Sequence, residues 1–123
     1  MRDLLGPASR AVAALRVALG VGALVNPRLA VRPWVGSTAS APAGTVLGRA
    51  AGVRDVALGA GVLVATSQGR AAERTWVAAG ALCDLVDAGT TLVAWRQLPS
   101  PGRALAGGAA VGAAVIGAAA AAG

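Results

Sequence analysis

The chain has 123 residues, 56% of them hydrophobic and 13% charged, with a net charge of +6, whereas soluble domains average about 45–50% apolar and about 25% charged. Its 33 Ala and 18 Gly stand beside a single cysteine, Cys83, and no His, Lys, Phe or Tyr. Zinc, haem, and Ser-His or Cys-His chemistry therefore lack their usual parts, and an intrachain disulfide is excluded. The arginines are scattered among apolar runs and form no solvated basic face, so nucleic acid is not an expected partner.

Four apolar runs follow one another, at roughly 7–25, 45–66, 75–95 and 103–122. Each is long enough to cross a hydrocarbon layer, which takes about 20 residues. Pro7 suits the first position of a helix, and Asn26-Pro27 suits a stop. Ser67-Gln68-Gly69-Arg70 separates the second run from the third, and Pro99-Ser100-Pro101-Gly102 the third from the fourth. The predicted architecture is all-α: one four-helix transmembrane bundle over residues 1–123, with short loops and one longer loop, 26–44. The expected setting is the plasma membrane, crossed several times, with the lipid bilayer as first partner and a homo-oligomer or a membrane protein as a further one. No cofactor and no metal is implied.

Two other readings fit less well. A signal peptide at the N-terminus would not carry Arg16 in its apolar run. A soluble Ala-rich bundle would need a broad charged face on each helix, and the last run carries no charge after Arg103.

Trp76 and Trp95 are 19 residues apart, about 28 Å along a helix at 1.5 Å per residue and close to the roughly 30 Å hydrocarbon thickness. With Trp34 in the long loop they suit interfacial belts. Flanking arginines do not orient the bundle. Arg2, Arg10, Arg70 and Arg74 fall on one side, Arg28, Arg32, Arg96 and Arg103 on the other.

The stretch ALCDLVDAGT, residues 81–90, sets two carboxylates in a membrane-type run. Each central Asp opposes insertion by roughly 2.5–3.5 kcal/mol, and each Leu or Val favours it by about 0.3–0.6. The six Leu and Val residues of the third run therefore offset only about half the penalty, and the helix needs partners. Those are Arg16 in the first run and Arg49, Arg54 and Asp55 in the second. With Asp84 and Asp87 they make three positive and three negative charges.

Depth and angle agree with pairing. Asp55, Asp84 and Arg16 all fall near the midplane. Gly48, Gly52, Asp55 and Gly59 share one helical face, as do Gly80, Asp84, Asp87 and Thr91, and Ser9, Ala13, Arg16, Gly20 and Ala23. Small neighbours let backbones approach, so a long Arg can bridge to a facing carboxylate. Arg49 and Arg54 flank the Asp55 stripe, with Arg49 nearer one surface, and Asp84 is expected to face Arg54. The fourth helix, with Gly108 and Gly112, is expected to serve as a packing wall.

GRAAGVRDVALG and CDLVDAG, on the second and third of four apolar segments, resemble small four-helix integral membrane proteins of actinobacteria that form a domain-of-unknown-function family. The similarity runs over most of residues 10–120, and its specific part is those two motifs. It implies that Arg49, Gly52, Arg54, Asp55, Asp84 and Asp87 are signature positions, and it implies a fold without an activity. In layout the chain is also broadly similar to small membrane proteins of the DoxX type.

The reading adopted from the sequence is an accessory or interaction module whose Arg/Asp network pins helix register. The first alternative is an intramembrane acid/base enzyme acting on a lipophilic, isoprenoid-like substrate, with Asp84, Asp87 and Asp55 as candidate catalytic groups. A carboxylic acid in an apolar site keeps its proton and can donate it, while an Arg-paired one stays ionised. The second alternative is a proton or small-solute pathway. Cys83 reads as a packing residue, and the 26–44 loop as an interfacial connector or a lid. The GxxxG spacings at Gly48/Gly52 and Gly108/Gly112 are candidate close-packing positions.

Overall fold

Pro, Asn and Gly set the helix ends, and Asn26-Pro27 acts twice. Asn26 follows the last residue of α1 (Arg2–Val25), and its Oδ1 accepts a hydrogen bond of 3.1 Å from the Leu29 amide. It thereby caps α2 (Pro27–Val35), which Pro27 opens. The expected 26–44 loop is thus corrected to a nine-residue helix and a 3-10 turn, Gly36–Ser40. Gly36 leaves α2 at φ 66°, in the left-handed region that favours glycine.

In the computed structural model, which describes residues 2–122, α3 runs over Pro42–Ala65, α4 over Arg70–Val93 and α5 over Ser100–Ala122. Met1 and Gly123 lie outside the described residues. The described residues are almost all helical, with no strand among them. The four predicted helices are present and longer than expected. Pro7 lies inside α1 instead of opening it. Trp95 falls beyond the end of α4, in the 3-10 turn Trp95–Gln97, so Trp76 and Trp95 do not share one continuous helix.

Around the bundle the packing order is α1, α3, α4, α5, with α5 returning against α1 and α2 laid across α3 and α5. Helices α1 and α3 approach closely through their small-residue stripes. A Cβ on Gly52 would stand 2.8 Å from the Gly20 carbonyl oxygen, and Gly48 abuts Pro27 of α2. Gly59 lies against the Ala13 backbone, and Gly102 of α5 against that of Pro33. A Cβ on Gly108 or Gly112 would meet nothing within 4 Å, so the second GxxxG is not a close-packing position among the described residues.

Size is sorted in the opposite sense to that of a soluble bundle. The buried residues are mostly Gly and Ala, joined by Ser9, Asp84 and Thr91 and by the larger Val31, Leu58, Val62 and Val77. Large aliphatic side chains point out, among them Leu15, Leu19, Val25, Val46, Leu82, Leu85 and Val93. Two stretches, Gly6–Val25 and Arg70–Val93, are long and apolar enough to cross a membrane. Helix α3 carries Arg49, Arg54 and Asp55 along its length.

Candidate functional site

The three small-residue stripes carry their charged members to the bundle centre. Arg16 of α1 donates from Nη1 to Asp55 Oδ1 of α3 at 3.1 Å and from Nη2 to Asp84 Oδ2 of α4. Arg54 of α3 takes Asp87 of α4 in a bidentate pair, Nη1 to Oδ1 at 2.9 Å and Nη2 to Oδ2 at 2.6 Å. Its Nη2 is also 3.6 Å from Asp55 Oδ1, which links the two halves. Charge-assisted bonds of this kind are the strong class of hydrogen bond, and the planar guanidinium matches a carboxylate in two-pronged geometry. Asp84, 5% exposed, is the most buried of the five residues.

Five of the six residues counted into the charge network, the five expected at the centre, therefore meet there. The sixth does not: Arg49 is exposed and makes none of the ion pairs found among the described residues. It precedes Asp55 by six positions, which places it well round the helix from the Gly48–Gly52–Asp55 face. The pairing within the set also differs from expectation, since Asp84 answers to Arg16 and Arg54 answers to Asp87. A separate bridge, Arg10 Nε to Glu73 Oε1 at 3.7 Å, ties α1 to α4 near the start of both helices.

Beside the network lies a cavity of about 260 Å³, with all five charged residues in its wall. Val12, Leu15 and Leu19 of α1 and Ala110 of α5 complete it on the apolar side. Leu15 and Leu19 are 56% and 59% exposed, so the cavity reaches the outside of the bundle along α1. Trp34 and Thr91 also line it, with the Trp34 indole Nε1 donating to Thr91 Oγ1 at 3.2 Å. The Thr91 hydroxyl in turn donates to the Asp87 carbonyl at 2.6 Å. A smaller cavity of about 30 Å³, bordered by Ser9, Trp76 and Gly80, touches Arg16 and Asp84 as well. The Arg16–Asp84 pair is thus shared by the walls of both.

Trp34 is the site residue that sequence reasoning missed, because it was assigned to a loop. The amphipathic arrangement of Pro27, Val31 and Trp34 was its signal. Pro27 and Val31 are buried four positions apart, and Trp34 follows three later on the same face. Arg54 Nε is buried without an acceptor and has no surface on the cavity. No group of three or more His, Cys, Asp or Glu side chains among the described residues is placed to hold a metal ion. Cys83 is half-buried beside Asp84 and forms no disulfide.

No protein family, curated protein or solved structure matches this chain.

Proposed function

We propose that the chain is a multi-pass protein of the plasma membrane, with α1, α3, α4 and α5 crossing the bilayer, and that it binds a small lipophilic molecule in the cavity beside its Arg/Asp network. The membrane part of this reading is supported by the outward aliphatic surface and the small, polar interior. In water so much exposed aliphatic surface would drive association, whereas against lipid it is the expected exterior. The resemblance carried by GRAAGVRDVALG and CDLVDAG agrees with it.

The observation that carries the binding reading is the cavity of about 260 Å³, apolar on one side and charged on the other. A dry cavity of about 150 Å³ already admits benzene. Charged groups held at membrane depth beside open space mark ligand or ion sites more often than packing. Chemistry on the bound molecule would fall to Asp55, Asp84 and Asp87, which touch that space. A second reading, the accessory module pinned by its charges, is supported by the pairing of all five charged side chains.

One experiment separates the two. The chain is purified in mild detergent with and without Ala110→Phe, which fills the cavity from α5 and leaves the ion pairs alone, and bound organic molecules are identified by mass spectrometry after extraction. A lipophilic compound present in the parent and lost in the variant supports binding. No compound in either, with a partner protein retained by both, supports the accessory module.

A further inference from the structure

Three carboxylates and two guanidinium groups wall the large cavity, so the charges that face it sum to −1. The imbalance can be localised. Arg54 and Asp87 form a bidentate pair and cancel, although Arg54 Nη2 also stands 3.6 Å from Asp55 Oδ1. The remaining three, Asp55, Arg16 and Asp84, share one guanidinium between two carboxylates. Arg49 does not correct the sum, being exposed on another face of α3. Of the other charged side chains described on α1 and α4, Arg10 and Glu73 pair with each other and Arg70 and Arg74 are exposed, and none of the four lines the cavity. Among the described residues α5 brings no charge to its wall, and α2 brings Trp34, its arginines 28 and 32 being exposed.

An uncompensated negative charge in a low-dielectric slab attracts a cation strongly. A cation small enough to need no room would leave the cavity unexplained, yet the space is about 260 Å³ with Val12, Leu15, Leu19 and Ala110 along it. The indole N–H of Trp34 is committed to Thr91, which leaves the ring as the part of Trp34 that a ligand can meet. Aromatic faces favour organic cations, quaternary ammonium groups above all. Arg16 lies about ten residues into the Gly6–Val25 stretch, about 15 Å along the helix and half the depth of the hydrocarbon layer. A phospholipid headgroup, held at the interface, does not reach there.

Taking the cavity as the binding site, we infer that its ligand is a lipophilic organic monocation: the charged end is held against Asp55 and Asp84, which share Arg16, and the apolar body lies along α1 toward Leu15 and Leu19. Asp55, with its side chain 24% exposed, is the accessible carboxylate of the two.

The test compares three probes on the full chain in detergent, with partitioning into empty micelles subtracted. They are benzyltrimethylammonium, neopentylbenzene as its neutral isostere, and benzenesulfonate. The cation is expected to bind at least ten-fold more tightly than the isostere, and the sulfonate not to bind. Asp55→Asn should bring the cation down to the affinity of the isostere, whereas Arg49→Gln should leave all three unchanged. Should Asp55→Asn fail to fold, the comparison of probes on the parent chain decides alone. Equal binding of cation and isostere would overturn the inference and keep the binding site. Preference for the sulfonate would overturn it in favour of the arginines. Failure of every probe would overturn the binding site itself.

Discussion

Gly20 of α1 and Gly52 of α3 meet backbone to backbone. A Cβ added at Gly20 would stand 2.6 Å from the Gly52 carbonyl oxygen and 2.9 Å from the Val56 amide nitrogen. Backbone on both sides leaves nothing to swing aside, and overpacking of this kind typically costs about 1–3 kcal/mol. Gly20→Val and Gly52→Leu should each fall at the upper end of that range in reversible unfolding from detergent. Gly108→Leu and Gly112→Leu, in open space, should stay within about 0.5 kcal/mol. Equal losses at all four positions would contradict the packing.

The bidentate geometry of Arg54 on Asp87 predicts that charge alone does not satisfy the position. Lysine keeps the charge and loses the fork. Arg54→Lys should therefore cost roughly 1.5–3 kcal/mol, the range for hydrogen bonds to charged groups. Arg49→Lys, on an exposed side chain, should change stability by less than about 0.5 kcal/mol. The same unfolding measurement reads both, and a tolerated Arg54→Lys would remove the two-pronged pair from the account.

Trp34 is tied to α4 through Thr91 and lines the cavity, whereas Trp76 packs on Gly61 and Trp95 lies beneath the Arg103 guanidinium, 5.7 Å from the ring centroid. Trp34→Phe should cost about 1 kcal/mol, the net worth of an ordinary hydrogen bond. It should also abolish any fluorescence change produced by a ligand in the cavity. Trp95→Phe should keep that change. A response that survives Trp34→Phe would place the ligand elsewhere.

Leu85 sits one residue after Asp84 and faces outward, 57% exposed. On a lipid-facing surface at this depth a lysine opposes insertion by roughly 2.5–3.5 kcal/mol, whereas on a water-facing surface the same change is near neutral. Leu85→Lys should therefore reduce the membrane-integrated fraction in a glycosylation-mapped insertion assay. Undiminished or improved yield of a chain soluble in buffer would contradict the bilayer setting.

The four long helices, the small-residue faces and the set of charges at the centre were legible in the sequence, because they rest on periodicities that any α-helix obeys. Gly20, Gly52, Gly59 and Ala13 lie on the faces that spacing assigned, and Arg16, Arg54, Asp55, Asp84 and Asp87 converge. What spacing could not decide was which arginine takes which aspartate. Asp84 and Asp87 differ by about 4.5 Å in depth, less than the reach of an Arg side chain, so the partner is chosen by the crossing of α1 and α3 against α4. Helix α2 was hidden by a motif with two meanings, since Asn-Pro ends one helix and caps the next with equal economy. With α2 unseen, Trp34 could not be placed at the cavity, and Arg49 was counted into a balance that the exposed side of α3 takes it out of.

The pairing of Arg16 with Asp84 across the bundle is the relationship on which the rest depends, and a double-mutant cycle measures it most directly. Asp84→Asn and Arg16→Gln should each cost about 3–5 kcal/mol, because each leaves a buried charge short of its partner. The double variant should recover part of that loss, with a coupling of about 1–3 kcal/mol. A parallel cycle of Asp84→Asn with Arg54→Gln should show a clearly smaller coupling. Strict additivity between Arg16 and Asp84 in reversible unfolding from detergent would contradict the account, whatever the single variants cost.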